Sequence, residues 1–330
     1  METFIAFGLI AFLAFANGSN DNFKGMAPSY SSGIIGYKTA VVIATIATIA
    51  GGITALFIAQ KLIVSFSGKG LVPEEVIQST KFIISVAGAA SVTVMLASFI
   101  GFPISTTHAI LGGVIGAGLL ASKLNIQSDI LINSFILPLI LSPLLAGGSC
   151  FLLSDFFNDR QQFRKKKVIV GTSSKVFDQS EIAEWRTMQL VSASAICFAR
   201  ALNDTPKILG LSAFLNIPQN MGYFAIISAM AIGGIISAKK VAETISKKIS
   251  SVDKSDVLLT NTVVGALVLS ASELGLPVST TQVAVGAMMG NGIVNSTANW
   301  QTLKMILMSW LLTLPLSTIV SATIYYLMPK

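Results

Sequence analysis

Apolar runs about 18 residues long or longer recur from one end of the chain to the other, and no other feature restricts the fold as tightly. As a helix, such a run crosses a hydrocarbon layer of roughly 30 Å. Inside lipid every backbone N–H and C=O has to be bonded within the protein, so repeated apolar runs mean a bundle of helices. Composition agrees: 53% of the 330 residues are hydrophobic and 11% are charged, against about 25% charged in a soluble domain that needs a hydrated shell. The expectation is an all-α polytopic membrane protein in contact with the lipid bilayer. A soluble enzyme, a nucleic-acid-binding domain, a coiled coil and a disordered chain are excluded.

The apolar segments fall at about 3–20, 39–62, 79–101, 104–121 and 127–156, then at 187–210, 221–240, 256–275, 277–293 and 300–328. Between the two sets lies the most polar stretch, 157–186, with the run Arg164-Lys165-Lys166-Lys167. The chain therefore reads as an N-terminal transmembrane repeat (1–156), a basic linker (157–186) and a C-terminal transmembrane repeat (187–330), with about ten membrane segments in all. The beginning, Met1-Glu2-Thr3 and an apolar run, lacks a basic n-region and reads as the first membrane helix. Cys150 and Cys197 lie in apolar stretches and read as small core residues. One His and no Cys/His cluster argue against a zinc site.

Two motifs recur in the same order. Gly101-Phe102-Pro103-Ile104-Ser105-Thr106-Thr107-His108 matches Gly275-Leu276-Pro277-Val278-Ser279-Thr280-Thr281-Gln282 at an offset of 174, and Gly112, Gly116 and Gly118 fall on Gly286, Gly290 and Gly292. Asn20-Asp21-Asn22-Phe23-Lys24 matches Asn203-Asp204-Thr205-Pro206-Lys207 at an offset of 183. The chain is a tandem duplication.

The net charge of +7 is concentrated in loops. Arg160, Arg164, Lys165, Lys166, Lys167, Lys175 and Arg186 put the linker in the cytoplasm, and Lys239, Lys240, Lys247, Lys248 and Lys254 put a second loop there. Two segments separate the loops, as this requires. Five crossings on either side of the linker place both termini outside, and an odd count per half orients the repeats oppositely. That is the inverted-repeat plan of secondary transporters. Segments 104–121 and 277–293 are short, Gly-rich and begin at Pro, so they are either hairpin arms of broken helices or full crossings.

The Pro-x-Ser-Thr-Thr pair is the first candidate site. Pro suits a first helical turn, and neighbouring hydroxyls can cap the free N–H groups. A helix that starts inside the membrane aims N–H donors and partial positive charge at whatever lies before it. Two such starts facing each other, with Ser105, Thr106, Thr107, Ser279, Thr280 and Thr281, suit a tetrahedral oxyanion. The bland alternative is packing and interhelical bonding alone.

The Asn-Asp-x-x-Lys pair is the second. Asp21 and Asp204 lie in apolar surroundings, where ionisable groups are costly and usually functional. Lys24 and Lys207 follow at i+3, on the same helical face as their acids. Asn20, Asp21, Asn203 and Asp204 could give oxygens to sodium or carry a coupling proton, with both lysines turned to an anion; otherwise the pairs only lock helices. Gly18, Gly25 and Pro28 suggest a helix interrupted there, freeing carbonyls for a cation.

Asn17, Arg200, His108 and Gln282 are auxiliary candidates, and Glu273 is a further candidate for the coupling ion. Arg200, the counterpart of Asn17, would touch substrate or balance Asp204 or Glu273. Glu273 has Phe99 as its counterpart and is a candidate proton carrier or the partner of an arginine. His108 stands where the other repeat has Gln282, which points to a shared hydrogen-bonding role more than to pH sensing.

Gly18-Ser19-Asn20-Asp21, Pro103-Ile104-Ser105-Thr106-Thr107-His108, Leu202-Asn203-Asp204 and Pro277-Val278-Ser279-Thr280-Thr281 together resemble the inorganic phosphate transporter (PiT) family of sodium- or proton-coupled symporters, across essentially the whole chain. The resemblance implies an inverted repeat with membrane hairpins, both termini outside and a substrate site between the repeats. It implies that Asn20, Asp21, Asn203 and Asp204 shape the phosphate and cation sites and that the six hydroxyl residues hold phosphate oxygens. The chain departs from the family signature at Lys24, where Asn is usual, while Lys207 looks like a variant of some bacterial members. An ammonium there leaves proton coupling, or fewer sodium ions, as an alternative to full sodium coupling. The short linker, unlike the large cytoplasmic domain of animal relatives, implies a prokaryotic inner-membrane protein.

The expected function is therefore cation-coupled import of inorganic phosphate by alternating access, with no cofactor beyond the coupling sodium or proton. Sulfate is the near alternative. Phosphate donates a hydrogen bond that an Asp can accept, whereas an Asp would only repel sulfate. A passive anion channel would need a continuous polar path and no paired acids. No nucleophile–base pair suggests an enzyme. A homodimer is compatible with the plan, although no residue marks it.

Overall fold

A computed structural model describes all residues except 32, 124, 169–178, 249–253, 297, 299 and 330; the side chains at 158–168, 179–183, 247–248, 254–256, 302 and 305 are also outside the description. Among the described residues the chain is helical, apart from an isolated bridge between Lys69 and Val72. The first half runs through α1 (Glu2–Asp21), α2 (Ala27–Ser31), α3 (Tyr37–Ile58), α4 (Gln60–Phe66), α5 (Glu74–Ile77), α6 (Thr80–Ile100), α7 (Thr106–Ala121), α8 (Ser128–Ile130) with a π-helical turn (Leu131–Ile136), and α9 (Leu137–Val168). The second half runs through α10 (Gln179–Gly210), α11 (Gln219–Ser237), α12 (Lys239–Lys248), α13 (Lys254–Leu274), α14 (Thr280–Val294) and α15 (Trp300–Leu327).

Seven helical stretches are long and apolar enough to cross a membrane: Glu2–Asp21, Tyr37–Ile58, Thr80–Ile100, Ser128–Phe157, Gln219–Ser237, Val257–Leu274 and Ile306–Leu327. The charged residues of α10, among them Arg200, Asp204 and Lys207, set it apart from these seven. At 16 and 15 residues, α7 and α14 fall short of the ~20 a full crossing needs. Large apolar side chains such as Phe57, Leu144, Phe224 and Leu311 are exposed, while Asn, Asp, Arg and Lys side chains fill the middle. This distribution suits a lipid exterior, where an apolar surface costs nothing.

The packing partners form matching sets. α1 packs on α11 and α6, and α10 packs on α3 and α13; α7 packs on α15 and α6, and α14 packs on α9 and α13. Each set turns into the other when α1, α3, α6, α7 and α9 are exchanged for α10, α11, α13, α14 and α15. Two of the close seams, α7 on α15 and α14 on α9, use equivalent glycines. A Cβ at Gly112 or Gly116 would lie 2.4 or 2.1 Å from the carbonyl oxygen of Leu314 or Thr318; at Gly286 or Gly290 it would lie 2.2 or 1.9 Å from that of Pro143 or Gly147. Only a missing side chain permits such backbone contact.

The ends that aim the site are built alike. Gly101 and Gly275 close α6 and α13 with φ of +86° and +75°, a left-handed conformation that glycine adopts without strain. The next N–H in each case, of Phe102 and of Leu276, reaches back to the carbonyl of Ala97 and of Ala271, both at 2.8 Å, completing a Schellman-type stop. The chain then runs extended through Pro103-Ile104 and Pro277-Val278 before the next helix. Proline therefore does not open the helix as the sequence reading had it. Ser105 and Ser279 cap α7 and α14 through the N–H of His108 (3.2 Å) and of Gln282 (3.4 Å), so each helix starts three residues after its proline.

The interrupted helix exists at the first Asn-Asp, where α1 ends at Asp21, but α10 runs on through Asn203, Asp204 and Pro206. Helix enters the 157–186 stretch from both sides, since α9 continues to Val168 and α10 begins at Gln179. Within it, Lys175 lies outside the described residues, as do the side chains of Arg160, Arg164, Lys165, Lys166 and Lys167 and, in the second basic loop, those of Lys247, Lys248 and Lys254.

Candidate functional site

Helical spacing gathers the polar residues. On α1, Asn17, Asn20 and Asp21 lie one turn apart on one face, and Lys24 follows in the turn beyond. On α10, Arg200, Asn203, Asp204 and Lys207 repeat the arrangement. The capped starts of α7 and α14 approach from the other side. Apart from His108, these residues are buried or nearly so.

The lysines are held in equivalent surroundings. Lys24 Nζ pairs with Asp21, donates to the Ile104 carbonyl at 2.9 Å and also donates to Thr281 Oγ1. Lys207 Nζ pairs with Asp204 Oδ1 at 3.2 Å, donates to the Val278 carbonyl at 2.6 Å and to Thr107 Oγ1 at 2.8 Å, and also donates to Asn203 Oδ1. Ile104 and Val278, like Thr107 and Thr281, are 174 residues apart. Each lysine thus joins its own repeat's carbonyl to the other repeat's threonine. The hydroxyls complete the crossing: Thr107 Oγ1 donates to the Val278 carbonyl at 3.2 Å, and Thr281 Oγ1 to the Ile104 carbonyl at 3.1 Å. The carbonyls facing the cluster therefore come from the extended segments before α7 and α14, not from the break after α1. An extended chain leaves its C=O groups unpaired, whereas the turn after Asp21 uses its own in local bonds.

Asn17 links the two acids. Its Nδ2 donates to Asp21 Oδ2 (2.9 Å), Asp204 Oδ2 (3.2 Å) and Thr106 Oγ1 (3.0 Å), and Thr106 Oγ1 donates to Asp21 Oδ2 (3.1 Å). Arg200 Nη1 donates to Asn17 Oδ1 (3.0 Å) and lies 3.9 Å from Asp204 Oδ2, and Nη2 donates to Thr48 Oγ1 (2.6 Å). Three cations and two carboxylates leave one positive charge in excess. His108 and Gln282 meet directly, Nε2 to Nε2 at 3.3 Å, while His108 Nδ1 lies 2.8 Å from Ser105 Oγ. A crevice of about 20 Å³ beside the cluster is lined by Lys24, Arg200 and Thr280, with Thr260 and Asn261 on α13.

Glu273 does not join. It is exposed at the end of α13, and Arg200 pairs with Asp204 instead. Its counterpart Phe99 is exposed as well, so this register points outward in both halves.

Several residues escaped the sequence reading. Asn20 Nδ2 donates to Ser98 Oγ (3.0 Å) and the Phe102 carbonyl (2.9 Å), and its Oδ1 accepts from the Ile104 N–H (3.1 Å). Asn203 Nδ2 donates to Ser272 Oγ (2.8 Å). Ser98 and Ser272 also stand 174 apart, five residues before their prolines, so the repeat offset could have found them. Thr48, which donates to Asn22 Oδ1 at 2.7 Å, has no such signal. No group of three or more His, Cys, Asp or Glu side chains suited to a metal lies among the described residues.

Membrane-length helices around a buried, internally bonded cluster of ions define an integral membrane protein of the kind that moves polar solutes. Residues 17–321 match the phosphate transporter family, and the chain belongs to that family, one of transporters rather than enzymes. It is 26% identical to the "Probable low-affinity inorganic phosphate transporter" of Bacillus subtilis, over 95% of this chain and 93% of that one. It is also 25% identical to the sulfate permease CysP of Bacillus subtilis, over 96% of this chain and 84% of that one. A solved structure titled "The sodium-dependent phosphate transporter" has the same fold, with a TM-score of 0.82, 24% identity and 98% of each chain covered.

Proposed function

We propose that the protein is a cation-coupled symporter of inorganic phosphate, working by alternating access between two inverted repeats, 1–156 and 187–330, joined by a cytoplasmic linker at 157–186. The observation that carries this reading is the reciprocal meeting of the α7 and α14 starts, where each repeat's lysine binds the other's threonine and each threonine closes on the other's extended segment. Ten membrane segments follow if α7 and α14 are hairpin arms and α10 is a full crossing. The exchangeable packing sets support the duplication, and inversion follows if α6 with α7, and α13 with α14, form hairpins that enter and leave on one side while the other three segments of each half cross. Both termini then lie outside a cell membrane, and the 239–254 loop lies inside.

In this reading an entering oxyanion displaces the lysine–threonine bonds. Lys24, Lys207 and Arg200 supply charge, and Ser105, Thr106, Thr107, Ser279, Thr280 and Thr281 supply donors at two positive helix ends. Asp21 and Asp204, with Asn20 and Asn203, accept the hydrogen bond of a protonated phosphate and carry the coupling to sodium or protons. The crevice toward Thr260 and Asn261 is the start of a path to the cytoplasmic ends of α10 and α13. Its small volume supports a closed carrier state over a channel.

Sulfate is the second reading, favoured by the likeness to the sulfate permease. Two acids inside the cluster weigh against it, because sulfate has no proton to offer them near neutral pH. Uptake of radiolabelled phosphate into proteoliposomes, with sodium and proton gradients imposed separately, tests the proposal. Uptake driven by one gradient and lost in Asp21→Asn is expected; uptake unaffected by either gradient would reject symport.

A further inference from the structure

The oxygens around the two lysines are the kind that hold small hard cations. Around Lys207 Nζ stand a carboxylate (Asp204), an amide oxygen (Asn203), a hydroxyl (Thr107) and a backbone carbonyl (Val278). Around Lys24 Nζ stand a carboxylate (Asp21), a hydroxyl (Thr281) and a carbonyl (Ile104). Carboxylate, carbonyl and hydroxyl oxygens are the usual ligands of alkali and alkaline-earth ions. Each set is buried, each carries one negative charge, and each is closed on a cation that the chain itself provides. A sodium ion in either place would have to expel an ammonium group and leave it unpaired in a low-dielectric interior, which is strongly unfavourable.

We propose that Lys24 and Lys207 are tethered substitutes for transported cations, and that the protein therefore carries its anion without sodium. The inference rests on the reading above in taking this cluster as the transport site. It also accounts for the return of the empty carrier. A symporter has to reorient with its acids neutralised, and here Asp21 and Asp204 are neutralised by ammonium groups that remain with the protein. The excess positive charge contributed by Arg200 matches a monovalent anion such as dihydrogen phosphate, which brings its own protons as cargo. Sodium is then neither a ligand of the resting cluster nor needed to complete it.

The test is the melting temperature of the full-length protein in detergent micelles without phosphate, in sodium chloride and in choline chloride of equal strength. Wild type is expected to melt at the same temperature in both. Lys24→Ala and Lys207→Ala each open an anionic oxygen cage, so they are expected to melt lower in choline and to recover roughly 2 °C in about 100 mM sodium. A sodium-specific rise in wild type overturns the proposal. So do folded variants that gain no sodium-specific rise, because their cages are then not cation sites. If the variants do not fold, equilibrium dialysis of wild type against radioactive sodium decides, with no saturable binding expected and saturable binding contradicting the idea. Since no oxyanion is present, the result is independent of whether phosphate is the cargo.

Discussion

Replacing Lys207 by Met removes an ammonium 3.2 Å from Asp204 Oδ1, 2.8 Å from Thr107 Oγ1 and 2.6 Å from the Val278 carbonyl, and keeps most of the side chain's volume. Breaking a buried pair from one side costs about 3–5 kcal/mol, because the surviving charge is left alone. Asp204→Asn leaves Lys207 in the same position with the opposite sign and should cost a similar amount. In the double variant neither charge remains. What is lost is the set of neutral hydrogen bonds, each worth about 1 kcal/mol net. The single effects sum to about 6–10 kcal/mol and the double variant loses about 3, so it should be at least about 3 kcal/mol more stable than that sum predicts. The assay is reversible unfolding by sodium-free denaturing detergent in mixed micelles, followed by circular dichroism in choline chloride. Additivity within about 0.5 kcal/mol would show that the two groups act independently, and would refute a charge-coupled pair in the cluster.

Other expectations follow from single contacts. Ser272→Ala removes the one acceptor found for Asn203 Nδ2 and should cost about 1–3 kcal/mol, whereas Ser98→Ala leaves Asn20 the Phe102 carbonyl and should cost less than about 1 kcal/mol; detergent unfolding compares them. Gly116→Ala and Gly290→Ala place a methyl about 2 Å from a backbone oxygen and should each cost about 1–3 kcal/mol, while Gly265→Ala, with nothing within 4 Å, should be neutral or slightly stabilising by the same measurement. Ser105→Ala removes the cap of α7, with an expected cost of about 1 kcal/mol and weakened phosphate uptake. Glu273→Gln should leave uptake and its pH profile unchanged, and a shifted profile would restore this residue to the coupling path.

Much of the site was legible because duplication writes its important residues twice. The Pro-x-Ser-Thr-Thr and Asn-Asp-x-x-Lys copies named the residues that meet, and the 174-residue offset also held Ser98 and Ser272 for a reader who followed it further. What the sequence could not show is the side of a helix that a residue takes. Ser272 is buried and its neighbour Glu273 is exposed, a difference of one step around α13. Phe99, equally exposed at the equivalent position, was the available clue. The unbroken course of α10 was hidden for another reason. Pro206 forfeits only one intrahelical bond near the helix end, and the buried bonds of Lys207 hold that turn in place. The source of the carbonyls was also concealed, since only the Schellman stops at Gly101 and Gly275 turn Ile104 and Val278 toward the lysines. Thr48 lies on α3, outside both motifs, and reaches Arg200 through tertiary packing alone.

Counterflow of radiolabelled phosphate is the measurement that bears most directly on the site, because it needs no imposed ion gradient. Proteoliposomes loaded with unlabelled phosphate should accumulate the label transiently, external phosphate should compete far better than sulfate, and Thr107→Val with Thr281→Val should abolish the overshoot. No overshoot in wild type, or equal competition by sulfate, would contradict a phosphate site built between the two helix starts.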